Sequence, residues 1–280
     1  MELIQAKTYD NERALYNIKD TIVQGCTFAG EADGESVLKE TRNIIVRDCK
    51  FSLRYPVWHA RKYELDNCVL DEKTRAPLWY CENGVVKNTS ISSIKALREC
   101  NGTVISGCNI TSDEFGWKTN DTAITDSTIV SEYIFLDSKN VRLDHVDFKG
   151  KYSFQYVDGL EITDSVLDTK DAFWHSKNVT VKNCVVKGEY LAWFSQGLTL
   201  INCRISGTQP LCYCRDLTLI DCEMTGCDLS FEYSDVSAKV NGHIDSVKNP
   251  RSGEITADSI GEVIWEDAIM DCSAKVMTAK

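Results

Sequence analysis

Residues 178–196 read NVTVKNCVVKGEYLAWFSQ, residues 197–215 read GLTLINCRISGTQPLCYCR, and residues 216–234 read DLTLIDCEMTGCDLSFEYS. Each segment is 19 residues long and follows the last without a gap. In the first, Val179 and Val181 alternate with polar residues, and Lys182 and Asn183 break the run. Cys184 and Val186 then alternate, and a third run follows Lys187 and Gly188. Period-two patterning in β-branched residues, interrupted by Asn, Asp and Gly at fixed offsets, marks strands and not a helix. Three short strands in a turn of this length must stack in parallel, each pairing with its counterpart one coil along at about 4.8 Å.

With Cys184, Cys203 and Cys222 as register marks, the same slot upstream is read as Ser165, His145, Ser127, Cys108, Thr89, Cys68, Cys49 and Cys26. From Cys26 onward the marks are 23, 19, 21, 19, 19, 18, 20, 19, 19 and 19 residues apart, which leaves little room for long loops. The pattern predicts an all-β, single-stranded, right-handed parallel β-helix of about 11–13 coils of ~19 residues, with three short strands per coil. A left-handed hexapeptide helix needs a six-residue subrepeat that is absent, and leucine-rich repeats need helical outer segments and an L-x-x-L-x-L core. The expected organisation is one domain over residues 1–280. Residues 1–20 form an N-terminal cap, 21–235 the regular coils, and 236–280 further coils and a C-terminal cap, because a solenoid end must block its open strand edges.

Hydrophobic residues make up 43% of the chain, enough for a continuous core, and only four residues are proline. A net charge of −11 argues against nucleic acid and anionic membrane surfaces, which both require a basic footprint. No apolar run reaches the ~20 residues of a membrane span, and the first residues lack the pattern of a signal peptide, so a cytoplasmic location is expected. The thirteen cysteines are odd in number and lie in a long chain, which reads as reduced thiols and not as a disulfide framework. In the register column they read as small apolar side chains facing inward at a repeated corner. Cys212, Cys214, Cys222 and Cys227 do not have a standard zinc spacing, and no metal or other cofactor is expected.

A second column, about nine residues after each mark, holds Trp58, Trp79, Trp117, Phe154, Trp174, Trp193 and Phe231. Alternation sets these against Val57, Leu78, Leu97, Phe173, Ala192 and Leu211, so one set fills the core and the other meets solvent. Inward tryptophans are a core stack; outward ones form a ladder of amphipathic rings suited to sugars. Both orientations are open from sequence. If a ligand site exists, KDAFWH and GEYLAW place it, because they hold equivalent positions on adjacent coils. Trp174, Trp193, Lys170, Tyr190 and His175 are the candidate ligand contacts, and Asp171 and Glu189 the candidate catalytic carboxylates, since paired carboxylates serve glycoside chemistry. The competing reading of these charges is a solvated ridge.

The phrases NERALY (11–16), GESVLKE (34–40), YPVWHA (55–60), RAPLWYC (75–81), KDAFWHSKNVTV (170–181), GEYLAW (188–193) and IDSVKNPRSGEI (244–255) resemble those of a bacterial family of unknown function, which is grouped with the pectin-lyase-like right-handed β-helices. The resemblance covers about residues 5–265 and implies the fold without an activity. Likeness to pectate lyases stops at architecture, because their clefts are built from long loops that these coils lack. Three functions follow as expectations: a carbohydrate-binding or carbohydrate-processing protein of lyase or glycoside hydrolase type, a non-catalytic scaffold or self-assembling homo-oligomer, and a thiol-based metal or redox protein.

Overall fold

The computed structural model describes residues 1–279 and is a parallel β-helix of about 15 turns of ~19 residues, with no α-helix among the described residues. The count exceeds eleven to thirteen because strands at both ends keep the same pairing: Glu2–Gln5 pairs with Lys19–Gln24, and Lys275–Thr278 pairs with Ser252–Ile264. The chain divides into two compact units, Met1–Arg142 and Leu143–Lys280.

In the first unit, one face stacks Glu2–Gln5, Lys19–Gln24, Arg42–Arg47, Arg61–Asp66, Glu82–Lys87 and Asn101–Ser106 in parallel. A second face stacks Thr8–Tyr9, Thr27–Phe28, Lys50–Phe51, Val69–Leu70, Ser90–Ser93 and Asn109–Ser112. The third face holds only two-residue strands such as Val57–Trp58 and Leu78–Trp79. In the second unit, Asp158–Thr163, Lys177–Lys182 and Gln196–Ile201 continue the first-face pattern, and Val166–Asp168, Val185–Lys187 and Arg204–Ser206 the second. Its third face is a succession of turns, because every second residue there has positive φ: Asp171 (51°), Phe173 (62°) and His175 (55°) in one coil, Tyr190 (55°), Ala192 (63°) and Phe194 (62°) in the next.

The polar breaks of the sequence are the corners between the first two faces. Asp48, Asn67, Asn88, Asp126, Asp164, Asn183, Asn202 and Asp221 occupy them with φ between 49° and 56°, the region that Asn and Asp tolerate best among residues with a Cβ. Their side chains also join adjacent coils: Asn67 Nδ2 donates to Asp48 Oδ1 at 2.7 Å and Asn183 Nδ2 to Asp164 Oδ1 at 3.1 Å.

The corner geometry corrects one register mark. His145 is an exposed corner residue with φ 52°, whereas Val146 is buried and takes the inward slot. The Val146 N–H donates to Ser165 Oγ at 3.0 Å, 19 residues along, so the apparent steps of 18 and 20 become two of 19.

The slot also has a more specific logic than packing. Cys49 Sγ donates to the carbonyls of Arg47 (3.1 Å) and Val23 (3.6 Å), and Cys203 Sγ to those of Ile201 (3.3 Å) and Val181 (3.4 Å). Thr89, Ser127 and Ser165 make the same bond to the carbonyl two residues back. In return, the slot's sulfur or oxygen accepts the N–H of the slot residue one coil earlier, as in Cys26 to Cys49 Sγ and Cys108 to Ser127 Oγ. A thiol and a hydroxyl are interchangeable here because each supplies one donor and one acceptor to backbone groups that the strands leave out.

A second ladder of this kind, which the sequence reading passed over, precedes the first face. Cys81, Cys100 and Cys214 donate to the carbonyls of Val57, Leu78 and Ala192, and Thr119, Ser138 and Ser234 to those of Gly116, Gly116 and Leu211. The thirteen cysteines carry free thiols. Phenylalanines fill much of the remaining interior, with Phe28 stacked on Phe51 at 4.7 Å and Phe154 on Phe173 at 5.4 Å. Each fully buried side chain of this size contributes about 1.5–3 kcal/mol.

Candidate functional site

The tryptophan column is neither a core stack nor an open platform. Trp58, Trp79, Trp117, Trp174 and Trp193 are all half-buried, while Val57, Leu78, Phe173 and Ala192 beside them are buried. Phe154 and Phe231 leave the column: they are buried, and backbone pairing sets them in the inward row with Phe173, Ala192 and Leu211. An indole N–H cannot go unpaired when half its ring is covered, and the next coil's turn meets it. Trp174 Nε1 donates to the Tyr190 carbonyl at 2.6 Å and Trp193 Nε1 to the Gln209 carbonyl at 2.8 Å. Trp117 does the same with Tyr133 in the first unit.

The residues expected around Trp174 do come together. Trp174 and Trp193 stack at 5.4 Å with their planes 3° apart, and Tyr190 stands edge-on to Trp193 at 5.5 Å. Lys170 Nζ lies 3.0 Å from Glu189 Oε2 and 5.5 Å from the centre of the Tyr190 ring. The bond to Glu189 and its charge raise the lysine's pKa. Asp171 is buried, and its N–H donates to the Glu189 carbonyl at 3.0 Å. Burial pushes the Asp171 carboxyl up; Lys170 opposes the shift and Glu189 adds to it.

His175 lies in a neighbouring column whose importance the sequence reading missed. In the second unit this column holds Tyr156, His175, Phe194, Tyr213 and Tyr233. Ring centres are 4.9, 5.0, 4.7 and 5.5 Å apart, with interplanar angles of 10°, 8°, 18° and 48°. Tyr156 is 54% exposed and Phe194 44%, His175 is exposed, Tyr213 is half-buried, and Tyr233 is buried. The signal was present in the spacing, since Tyr156, His175, Phe194 and Tyr213 recur every 19 residues, but the shifted marks at Phe154 and Phe231 hid it.

The first unit supplies an internal comparison. Within that unit, backbone pairing assigns Glu40, His59, Tyr80, Glu99, Lys118 and Asp137 to the equivalent column. Only His59 and Tyr80 stack there, at 5.0 Å, and Glu40 and Glu99 flank them in a shallow groove that also includes Arg61 and Glu82. Its tryptophan row is interrupted as well: the Arg98 guanidinium sits 5.2 Å from the Trp79 ring and 4.9 Å from the Trp117 ring, and pairs with Glu114 at 2.7 Å.

The remaining chemistry-bearing clusters have structural employment. Cys212, Cys214, Cys222 and Cys227 each donate to a different backbone carbonyl. Ligand atoms of Asp144, His145 and Asp164 lie within 4.8 Å of one another, but Asp144 accepts from Thr163 at 2.6 Å and Asp164 from Asn183 at 3.1 Å, as parts of the corner ladder. No helix among the described residues is long and apolar enough to cross a membrane.

The sequence model of a family described as a protein of unknown function (DUF3737) matches residues 2–277. No curated protein matches the chain. Among solved structures, the mannuronan C-5 epimerase AlgE6 A-module of Azotobacter vinelandii is 9% identical with a TM-score of 0.38, over 99% of this chain and 89% of that one. The catalytic domain of a GH87 alpha-1,3-glucanase in complex with nigerose is 8% identical with a TM-score of 0.32, over 98% of this chain and 63% of that one. A pentapeptide repeat protein involved in heterocyst differentiation regulation, from Nostoc sp. strain PCC 7120, is 10% identical with a TM-score of 0.22, over 94% and 89%. At such scores none of these likenesses carries an argument about the site.

Proposed function

The chain belongs to the DUF3737 family of proteins of unknown function, and from that premise we propose that it is a carbohydrate-binding β-helix whose binding face is the aromatic ridge of the second unit. The supporting observation is the contrast between equivalent columns. The equivalent column of the first unit holds Glu40, His59, Tyr80, Glu99, Lys118 and Asp137, so the fold does not require a ring at every coil. The second unit places Tyr156, His175, Phe194 and Tyr213 in its own, at φ between 55° and 62°. A left-handed backbone costs a residue with a Cβ about 1–2 kcal/mol, and each ring pair returns about 0.5–1.5 kcal/mol. Phe173, also at positive φ, gains from full burial. The charged residues of the first unit's column carry the same positive φ, so the backbone does not call for rings, and a row of partly exposed rings such as Phe194 is accounted for by a ligand.

In this reading Trp174, Trp193, Tyr190, His175 and Lys170 contact the carbohydrate, with Tyr156, Phe194 and Tyr213 extending the surface. Asp171, biased towards its protonated form, is assigned as the acid and Glu189, ion-paired to Lys170, as the base of a lyase- or hydrolase-type step. The experiment is the pair Phe194→Asn and Tyr213→Asn, because Asn suits positive φ. The variants should remain folded, each with stability lowered by about 1–3 kcal/mol through its lost ring contacts, while binding on a glycan array falls at least tenfold; Asp171→Asn should spare binding and abolish turnover. Unchanged binding in the double variant would remove this reading, and concentration-dependent association in light scattering would then favour a self-assembling scaffold.

A further inference from the structure

Resting on the reading above, we infer that the ligand is an uncharged, linear polysaccharide in an extended form, laid along the ladder with one sugar unit per coil. Three observations on this ridge specify it. The first is regularity: Tyr156, His175, Phe194 and Tyr213 repeat at 4.9, 5.0 and 4.7 Å with planes within 18° of parallel, so the surface presents the same contact at every coil. Parallel rings at this separation overlap like tiles, leaving exposed their outer rims and polar tips, the two tyrosine hydroxyls and the imidazole. A repeating surface of rims and hydrogen-bonding tips matches a repeating chain of hydroxylated rings better than it matches a single sugar.

The second is charge. No ring of the ladder carries a carboxylate, an ammonium or a guanidinium, and the adjoining first-face column balances itself. Asp158 is in register with Lys177, Gln196 is neutral, and the Arg215 guanidinium is held by the carbonyls of Cys214 and Tyr233 and by Asp235. On the other side, Lys170 is paired with Glu189. With a chain net charge of −11, nothing here attracts a polyanion. The third is length: Tyr233 is buried and tilted by 48° from Tyr213, which leaves four accessible rungs.

The test is calorimetry on the full chain with β-1,4-linked glucose oligomers of one to six units, and oligogalacturonates of the same lengths as charged counterparts. Affinity should rise about three- to tenfold per added unit, as one ring contact each provides, and level off at about four units. Oligogalacturonates should bind at least tenfold more weakly, and Phe194→Asn should stop the rise at two units. If glucose binds as tightly as the tetramer, or the uronates bind more tightly, the inference falls while carbohydrate binding stands. If the wild-type chain binds no glycan on an array that also carries α- and β-1,3-linked oligomers, both fall together.

Discussion

A Cβ added to Gly84 would collide with Cζ of Tyr63, because the tyrosine ring of one coil occupies the side-chain space of the next. The two residues share one inward column, with Ile44 before them and Thr103 after. Gly84→Ala should therefore destabilise the chain by about 1–3 kcal/mol through overpacking. Tyr63→Leu added to it should restore most of that loss, as read by urea midpoints of the two single variants and the double. The Tyr63 hydroxyl is buried beside the Thr103 hydroxyl, so Tyr63→Phe should change stability by no more than about 1 kcal/mol.

The exchange of thiol and hydroxyl in the corner slot predicts a specific tolerance. Cys203→Ser retains the donor to Ile201 and Val181 and should shift stability by no more than about 1 kcal/mol. Cys203→Leu removes the donor and adds volume, and should cost about 1–3 kcal/mol. Equal urea midpoints for the two variants would show that the slot does not depend on the donor.

Alkaline pH should weaken the fold. Burial pushes the Cys214 thiol up to about 11 and the Cys227 thiol up to about 12, from an ordinary value of 9.0. Above pH 9 the unfolded chain releases protons that the folded chain keeps. Their contribution is complete below that pH and is lost as pH climbs towards 11–12, at about 1.4 kcal/mol per pH unit for each thiol. Cys214→Ser should flatten this fall in a series of urea titrations.

Thiol labelling should be strongly selective. Cys272 is half-buried and the other twelve cysteines are buried, so a maleimide applied to the native chain should mark Cys272 first. All thirteen should react after denaturation. Rapid native modification of Cys203 or Cys222 would contradict the corner ladder.

The repeat was legible because Asn and Asp at left-handed corners recur with the coil, and their spacing sets the fold without any knowledge of contacts. The same rule produced the slip at His145, since a corner histidine beside Val146 imitates a polar slot residue. The site was legible in part. KDAFWH and GEYLAW do bring Lys170, Glu189, Tyr190 and the two indoles together. The strand periodicity that placed them fails on the third face, where alternating positive φ replaces the pleat, and Phe154 and Phe231 therefore part from the tryptophans with which the sequence pattern grouped them. Nothing in the residue types announced that Trp174 and Trp193 would spend their N–H groups on backbone carbonyls.

The corner ladder gives the solenoid a direction. The N–H groups of Cys26, Cys68, Cys108 and Val146 are completed by the sulfur or oxygen of the following coil, whereas a slot side chain such as Thr89 keeps an acceptor two residues back in its own coil. Cutting the chain after such a coil strands its slot amide, whereas cutting before a coil strands third-face amides such as those of Ala192 and Leu211, which donate to the preceding coil. Emerging from a ribosome amino end first, each new coil finishes the one made just before it. Each added coil thus closes the slot of its predecessor, and assembly proceeds like closing a zip from the end that synthesis delivers first.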